Sequence, residues 1–136
     1  MANLPVWKLL GLIAVALALA VPASASASVQ TFRSPTGNIT CYVAAGGTSG
    51  TWVVCQSVRR PQSVRLSPEG DVAVCMGRDC LRRSPANSMR LKYGDYLRIG
   101  QFRCSSRRYT ISCWVGSFAK RNRHGFGINL HGTSHF

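Results

Sequence analysis

Acidic residues are scarce in this 136-residue chain, where four Asp and Glu stand against seventeen Lys and Arg. The four are Glu69, Asp71, Asp79 and Asp95, and all adjoin segments rich in turn-forming residues. Two-carboxylate hydrolysis needs a pair of acids that flank one bond, and this pattern offers no such pair. A G-x-S-x-G motif and a phosphate-cradling glycine loop are also missing. These absences argue against carboxylate-pair glycosidases, nucleophile-elbow hydrolases and P-loop proteins.

Long hydrophobic runs are missing as well. The longest, residues 9–21, has thirteen residues, and as a helix it would reach about 20 Å, short of the roughly 30 Å bilayer core. An uncleaved membrane anchor is therefore the weaker interpretation. The run follows Lys8 and precedes "PASASAS", which offers cleavage after Ala25 or Ala27. We predict a helical, cleaved signal peptide over residues 1–27 and a single secreted β domain over residues 28–136, extracellular or associated with the cell envelope, with no transmembrane segment after cleavage.

Helical periodicity does not extend over several turns anywhere beyond that segment. Short alternating runs are present instead, and in "NITCYV" the residues Ile39, Cys41 and Val43 share one face. "TWVVCQSV" follows after the turn "AAGGTSG", while "YLRIGQFRC" and "RRYTISCWV" form a second pair around "SSRR". In the last run Tyr109 is expected to share a face with Ile111. The pattern predicts an all-β fold, a small antiparallel sandwich or partly open barrel built from disulfide-stapled hairpins.

Two further segments, "RRPQSVRLSPEGD" and "LRRSPANSM", are predicted to be loops because they carry Pro, Gly, Ser and Asn. The earlier "SPTGN" stretch is predicted to be a turn, in which Pro35 presets φ and Gly37 or Asn38 adopts positive φ. A turn there would fix the register of the strand that follows. Its alternative interpretation is an exposed recognition loop over residues 34–38, for binding or inhibiting another protein.

A CxxC motif and zinc-type Cys–His spacing are both absent, which makes a metal site the weaker interpretation of the six cysteines. An even number of Cys in a small exported chain favours three disulfides, and sequence alone permits fifteen connectivities. Hairpin geometry favours Cys41–Cys55 and Cys104–Cys113. The remaining pair, Cys75–Cys80, would close the loop "CMGRDC".

Positive charge is the strongest remaining signal. Removing residues 1–27 takes away only Lys8, so residues 28–136 have a net charge of +12, sixteen basic residues minus four acids. Such a surface attracts polyanions over long range. We therefore expect binding to anionic envelope polymers, to an anionic membrane surface or non-specifically to nucleic acid, without a cofactor. The candidate binding residues are Arg59, Arg60, Arg82, Arg83, Arg107, Arg108, Lys120, Arg121 and Arg123. A generally charged surface with no partner is the alternative.

Three histidines, His124, His131 and His135, fall within the last thirteen residues. A base, an acid and nearby cations are the requirements for phosphodiester cleavage, so His124 with His131 or His135 is the second hypothesis, a small secreted hydrolase or nuclease. No motif surrounds these histidines, and no metal site is predicted for them.

The stretches "FRSPTGNITCYV", "YGDYLRIGQFRCSSRRYTISCWV" and "RHGFGI" resemble a family of small exported actinobacterial proteins with the pattern F-x-S-P-[ST]-G-N-I-x-C. The resemblance covers nearly all of residues 28–136. It implies a secreted, disulfide-bonded β domain of unestablished function and brings no catalytic residues. The chain differs from this pattern in having Cys80 after the strand that ends at Cys75, where relatives place a Cys before that strand.

Overall fold

A computed structural model describes residues 20, 28–46, 50–116 and 121–136 of the chain. The predicted signal peptide, apart from Ala20, and the candidate binding residue Lys120 lie outside the described residues. Within these ranges the chain forms eleven β-strands in two sheets and a single 3-10 turn at Arg78–Cys80. The prediction of an all-β fold is therefore confirmed, and the two stacked sheets make it a sandwich.

The first sheet contains six strands, in the order β5-β4-β3-β2-β1-β6. Their bounds are β1 Ser28–Arg33, β2 Ile39–Ala45, β3 Trp52–Ser57, β4 Gln62–Leu66, β5 Val72–Met76 and β6 Met89–Arg90. All neighbours are antiparallel except β1 and β6, which run parallel. The predicted hairpin between residues 39 and 57 is the β2–β3 pair at the centre of this sheet.

The second sheet contains five antiparallel strands, in the order β11-β10-β9-β8-β7. Their bounds are β7 Tyr96–Ile99, β8 Phe102–Ser106, β9 Ile111–Val115, β10 His124–Ile128 and β11 Thr133–His135. The second predicted hairpin is β8–β9. Its turn covers residues 107–110 rather than "SSRR", since Arg107 and Thr110 exchange both backbone hydrogen bonds. Tyr109 therefore lies in the turn, 71% exposed, and the expectation that it shares the face of Ile111 is wrong.

The segment "RRPQSVRLSPEGD" is only partly the loop that its composition predicts, because β4 occupies its middle. Val64 and Leu66 point into the core with no accessible surface, while Arg65 is exposed. Two alternating apolar residues are too short a pattern to distinguish a strand from a loop. In the second predicted loop, only Met89 belongs to a strand, β6.

One core lies between the two sheets and contains both hairpin disulfides. Phe32, Val43 and Val53 from the first sheet pack with Phe102 and Phe126 from the second. Cys41–Cys55 and Cys104–Cys113 each join residues directly opposite each other on adjacent strands, with Cα–Cα distances of 4.0 and 4.1 Å. Across the sandwich, the Sγ atoms of Cys55 and Cys113 are 3.9 Å apart. The two bridges therefore pack against each other in the centre of the molecule.

Residues 81–85 cross the outer face of the first sheet on the way from the β5 edge to β6 at the opposite edge. The third disulfide, Cys75–Cys80, precedes this crossover. The side-chain amide of Gln56 donates to the Arg82 carbonyl and its oxygen accepts from the Arg82 N–H, both at 2.7 Å. The Tyr42 hydroxyl donates to the Arg83 carbonyl at 3.0 Å. The crossover thus covers the outward-facing cluster around Tyr42 and Trp52.

Four turns gather at one end of the sandwich, which we call the turn end. They cover residues 34–38, 58–61, 107–110 and 129–132. In the first, Gly37 has φ of +77°, as the turn chemistry predicts. Ser34 fixes this turn because its Oγ accepts from the Ile39 N–H at 3.1 Å and its backbone carbonyl accepts from the Gly37 N–H at 2.9 Å. In the described part of the chain, no helix has the length and hydrophobicity required to cross a bilayer.

Candidate functional site

Alternate residues of β7, β8 and β9 face away from the core and line a groove with a volume of about 530 Å³, which we call the arginine groove. Period-two alternation produces this surface, because the neighbours of the core-facing Phe102, Cys104 and Cys113 must point outward. The groove is lined by Gly94, Tyr96, Arg98, Arg103, Ser105, Arg107, Ser112, Trp114, Arg123 and Phe136.

Positive charge is concentrated in this groove. Arg98 stands directly opposite Arg103 in the β7–β8 register, an arrangement in which like charges repel. Arg107 and Arg123 line the same groove, and none of the four acids, all of which lie in the described residues, does so. An anion placed between the guanidinium groups would convert the repulsion into attraction, and guanidinium forks match the oxygens of phosphate, sulfate and carboxylate.

Aromatic rings form one side of the groove. The Arg123 guanidinium carbon lies 4.3 Å from the ring centroid of Phe136 and 6.0 Å from that of Trp114. Phe136 is held there because it exchanges two 3.0 Å backbone hydrogen bonds with Gly125. A Cβ atom at Gly125 would lie 2.7 Å from the Trp114 Cβ and 2.2 Å from the Cys113 carbonyl oxygen, so only glycine fits. The carboxyl-terminal ring and the tryptophan are thus positioned by strand pairing.

A second concavity of about 300 Å³, which we call the turn cavity, opens at the turn end. Its lining comes from three of the four turns, from Ile39 at the start of β2 and from Tyr93: Ser34, Thr36, Asn38, Ile39, Tyr93, Arg107, Arg108, Tyr109, Thr110, Asn129, Leu130 and His131. Its accessible walls are mainly apolar. The predicted recognition loop, residues 34–38, forms one wall. Arg107 lines both the turn cavity and the arginine groove.

The structure does not bring all the predicted basic residues to one face. Arg107 and Arg123 line the arginine groove, and Arg108 lines only the turn cavity. Arg59 and Arg60 lie in the 58–61 turn, where Arg60 donates to the His131 carbonyl oxygen.

Arg82 and Arg83 belong to the crossover on the other sheet, far from the groove in the fold. The Arg82 guanidinium carbon lies 4.6 Å from the Trp52 ring centroid, so this side chain packs on the ring. Arg121 is exposed in the loop before β10, with φ of +53°.

Sequence reasoning missed Arg98 and Arg103, the centre of the groove. It searched for arginines adjacent in sequence, but adjacent residues of a strand point to opposite faces. The available signal was the hairpin "LRIGQFR", in which the two arginines flank the turn at equal distances and therefore share a face.

The three histidines do not form a single cluster, although the β10–β11 register makes His124 and His135 diagonal neighbours on one face. His124 begins β10, His131 lies in the turn beyond the end of the same strand, and four residue steps of about 3.3 Å each along that strand put them more than about 13 Å apart. His135 pairs with Phe126 on β11. His124 packs closely against the 67–71 turn. A Cβ atom added at Gly70 would lie only 2.7 Å from the His124 Cβ.

The sulfur atoms of Cys41, Cys55 and Cys113 lie within 4.8 Å of one another, a spacing that three metal ligands could have. All three are oxidised in disulfides, and the described residues include no free cysteine. Metal coordination by cysteine requires thiolates, so this cluster is a packing contact between bridges.

The structure defines a disulfide-linked β-sandwich with a basic groove on one outer face and an apolar cavity at one end. No family model, curated protein or solved structure matches the chain. The functional argument therefore depends on the chemistry of the two concave surfaces.

Proposed function

We propose that the protein is a non-enzymatic extracellular module that binds an anionic polymer in the arginine groove. The observation that carries the proposal is the convergence of Arg98, Arg103, Arg107 and Arg123 on one concave surface without an acidic lining residue. Binding is favoured over catalysis because the residues gathered there supply cations and aromatic rings but no His, Asp or Glu side chain that could act as a general base.

A polymer fits this surface better than a single small anion. The groove extends across β7, β8 and β9, and strands lie about 4.8 Å apart, so its arginines are spread over roughly 10 Å. That spacing suits several anionic groups in a row, as in teichoic acids, anionic headgroups on a membrane or nucleic acid. Tyr96, which is 72% exposed, adds flat apolar surface beside the charges.

The location of the protein supports the same proposal. Three disulfides indicate an oxidising compartment, and the predicted signal peptide and the resemblance to exported actinobacterial proteins agree with secretion. Envelope polymers with phosphate or carboxylate groups are the abundant polyanions outside a bacterial cell. We therefore propose the envelope as the place where the groove meets its ligand.

The test is titration of the protein with labelled linear polyphosphate at several salt concentrations. The variant Arg98→Gln/Arg103→Gln should weaken binding and lower the magnitude of the slope of log K against log salt by about 2, because two phosphate contacts are lost. Arg78→Gln/Arg83→Gln is the matched control, since it removes the same charge from exposed positions outside the groove.

The control variant should bind polyphosphate about as tightly as the unsubstituted protein does. Equal losses in both double variants would mean that net charge alone attracts the polymer, and the groove would then have no special role.

A further inference from the structure

The turn cavity is a second concave surface, which the proposed polymer-binding function does not use. Its volume of about 300 Å³ lies at the lower end of the roughly 300–1,000 Å³ typical of small-ligand sites. Its main residues come from turns in both sheets, so the cavity exists only where the two sheets meet. An occupant of this size is one ring system or a short chain rather than a polymer.

The walls of the cavity are fixed before any ligand arrives. Arg107 and Thr110 close one turn with two backbone hydrogen bonds, and the Asn129 Oδ1 accepts from the His131 N–H at 2.7 Å and from the Gly132 N–H at 3.0 Å in another. The Gln62 amide donates to the Asn129 carbonyl at 3.1 Å and ties that turn to the first sheet. A preformed site lowers the ordering cost of binding.

Two tyrosines flank the cavity and remain largely outside the core. Tyr93 is 48% exposed and Tyr109 is 71% exposed. Tyr93 is held in position because its neighbour Gly94 donates to the Ser106 carbonyl at 2.8 Å. Exposed aromatic rings beside an apolar hollow are typical of ligand sites, and their flat faces favour a planar guest.

Two cations, Arg107 and Arg108, distinguish this cavity from a purely apolar one. The Arg108 guanidinium carbon lies over the Tyr109 ring, 5.5 Å from its centroid, so the cavity lining presents charge and ring together. No acidic residue in the described part of the chain lines the cavity. A guest with a single anionic group would find a guanidinium partner there while its apolar body contacts Ile39 and Leu130.

We propose that the turn cavity binds a small aromatic molecule carrying one anionic group, with the ring between Tyr93 and Tyr109 and the anion on Arg108. This site is separate from the polymer groove, although Arg107 borders both.

The experiment uses 2-naphthoate as the probe and follows backbone amide shifts of the full disulfide-bonded protein by NMR. Saturable shifts are expected at residues 36–38, 108–110 and 129–131. The neutral analogue 2-naphthamide and the variant Arg108→Gln should each weaken binding about tenfold, because the charge-assisted contact is lost. Decanoate, an aliphatic anion, should bind more weakly than 2-naphthoate.

Arg59→Gln is the matched control, since Arg59 is exposed at the same end of the molecule but does not line the cavity. It should leave the affinity for 2-naphthoate unchanged, and so should Arg98→Gln/Arg103→Gln, which tests the groove. Equal affinity for 2-naphthoate and 2-naphthamide, or equal loss in the Arg59 and Arg108 variants, would overturn the anion contact. Equal affinity for decanoate would overturn the aromatic preference.

Discussion

The two sheets resemble each other on the faces that line the core but differ on the faces that point outward. Each has a hairpin whose cross-strand disulfide points into the shared core, and each has a tryptophan on its outer face that is 8% exposed, Trp52 in one and Trp114 in the other. Over Trp52 the crossover places Arg82, and residues 81–85 seal that face. Over Trp114 stands Arg123, and the surrounding face remains an open groove. The same arginine–tryptophan pairing thus closes one surface and borders a candidate site on the other.

The largest expected effect tests whether the two sheets depend equally on their core disulfides. Replacing Cys41 and Cys55 together by Ala, or Cys104 and Cys113 together by Ala, should lower the free energy of unfolding by about 3 kcal/mol each, because the closed loops have similar lengths, with separations of 14 and 9 residues. Urea denaturation monitored by near-UV circular dichroism measures the loss. A much smaller effect for one pair would show that its sheet is held by other contacts.

A smaller effect should separate the sealed face from the open one. Gln56→Leu keeps the size of a buried side chain but leaves the Arg82 N–H and carbonyl without their two 2.7 Å partners. The free energy of unfolding should fall by about 2 kcal/mol, while polyphosphate affinity stays unchanged.

The control for that substitution is Gln101→Leu, the same chemical change at an exposed turn residue. It should alter stability by less than about 0.5 kcal/mol. If Gln56→Leu proved equally mild, the crossover would not depend on these hydrogen bonds, and the distinction between the two faces would weaken.

The smallest effect in stability compares two arginines directly. Arg82→Leu should cost roughly 0.5–1 kcal/mol, since it removes the cation–π contact with Trp52, and should leave polymer binding intact. Arg103→Leu should not lower stability, because it relieves repulsion with Arg98, but should weaken polyphosphate binding. Thermal unfolding and polymer titration of both variants give the two readouts. If the two variants behaved alike in both assays, Arg82 and Arg103 would not have the different roles assigned to them.

The strands and bridges near the cysteines were predictable because alternation, turn residues and cysteine spacing all agree there. Ile39, Cys41 and Val43 do line the core, and Gly37 does take positive φ. The strand Gln62–Leu66 was not predictable, since only Val64 and Leu66 mark its inner face and the rest is polar. Its burial comes from neighbours on both sides of the sheet, which no local pattern contains.

The candidate site was harder to predict than the fold. Charge indicated a polyanion, but the arginines that meet in the groove come from both members of the hairpin around Gly100 and from the far end of the chain. Sequence neighbours such as Arg82 and Arg83 instead lie on the other sheet. The turn cavity was hinted at only through residues 34–38, because its walls come from segments that are distant in sequence and meet only after the sheets pack.

The contact between the two bridges in the core, with Cys55 and Cys113 sulfurs 3.9 Å apart, has a consequence for the chemical durability of the protein. Each sulfur pair closes a short local stretch and can therefore oxidise before the halves of the molecule dock. After docking, the four cysteines have no more than 2% of their surface accessible. A reducing agent could then attack them only during rare opening of the whole sandwich, so resistance to thiols reports on how often the halves separate.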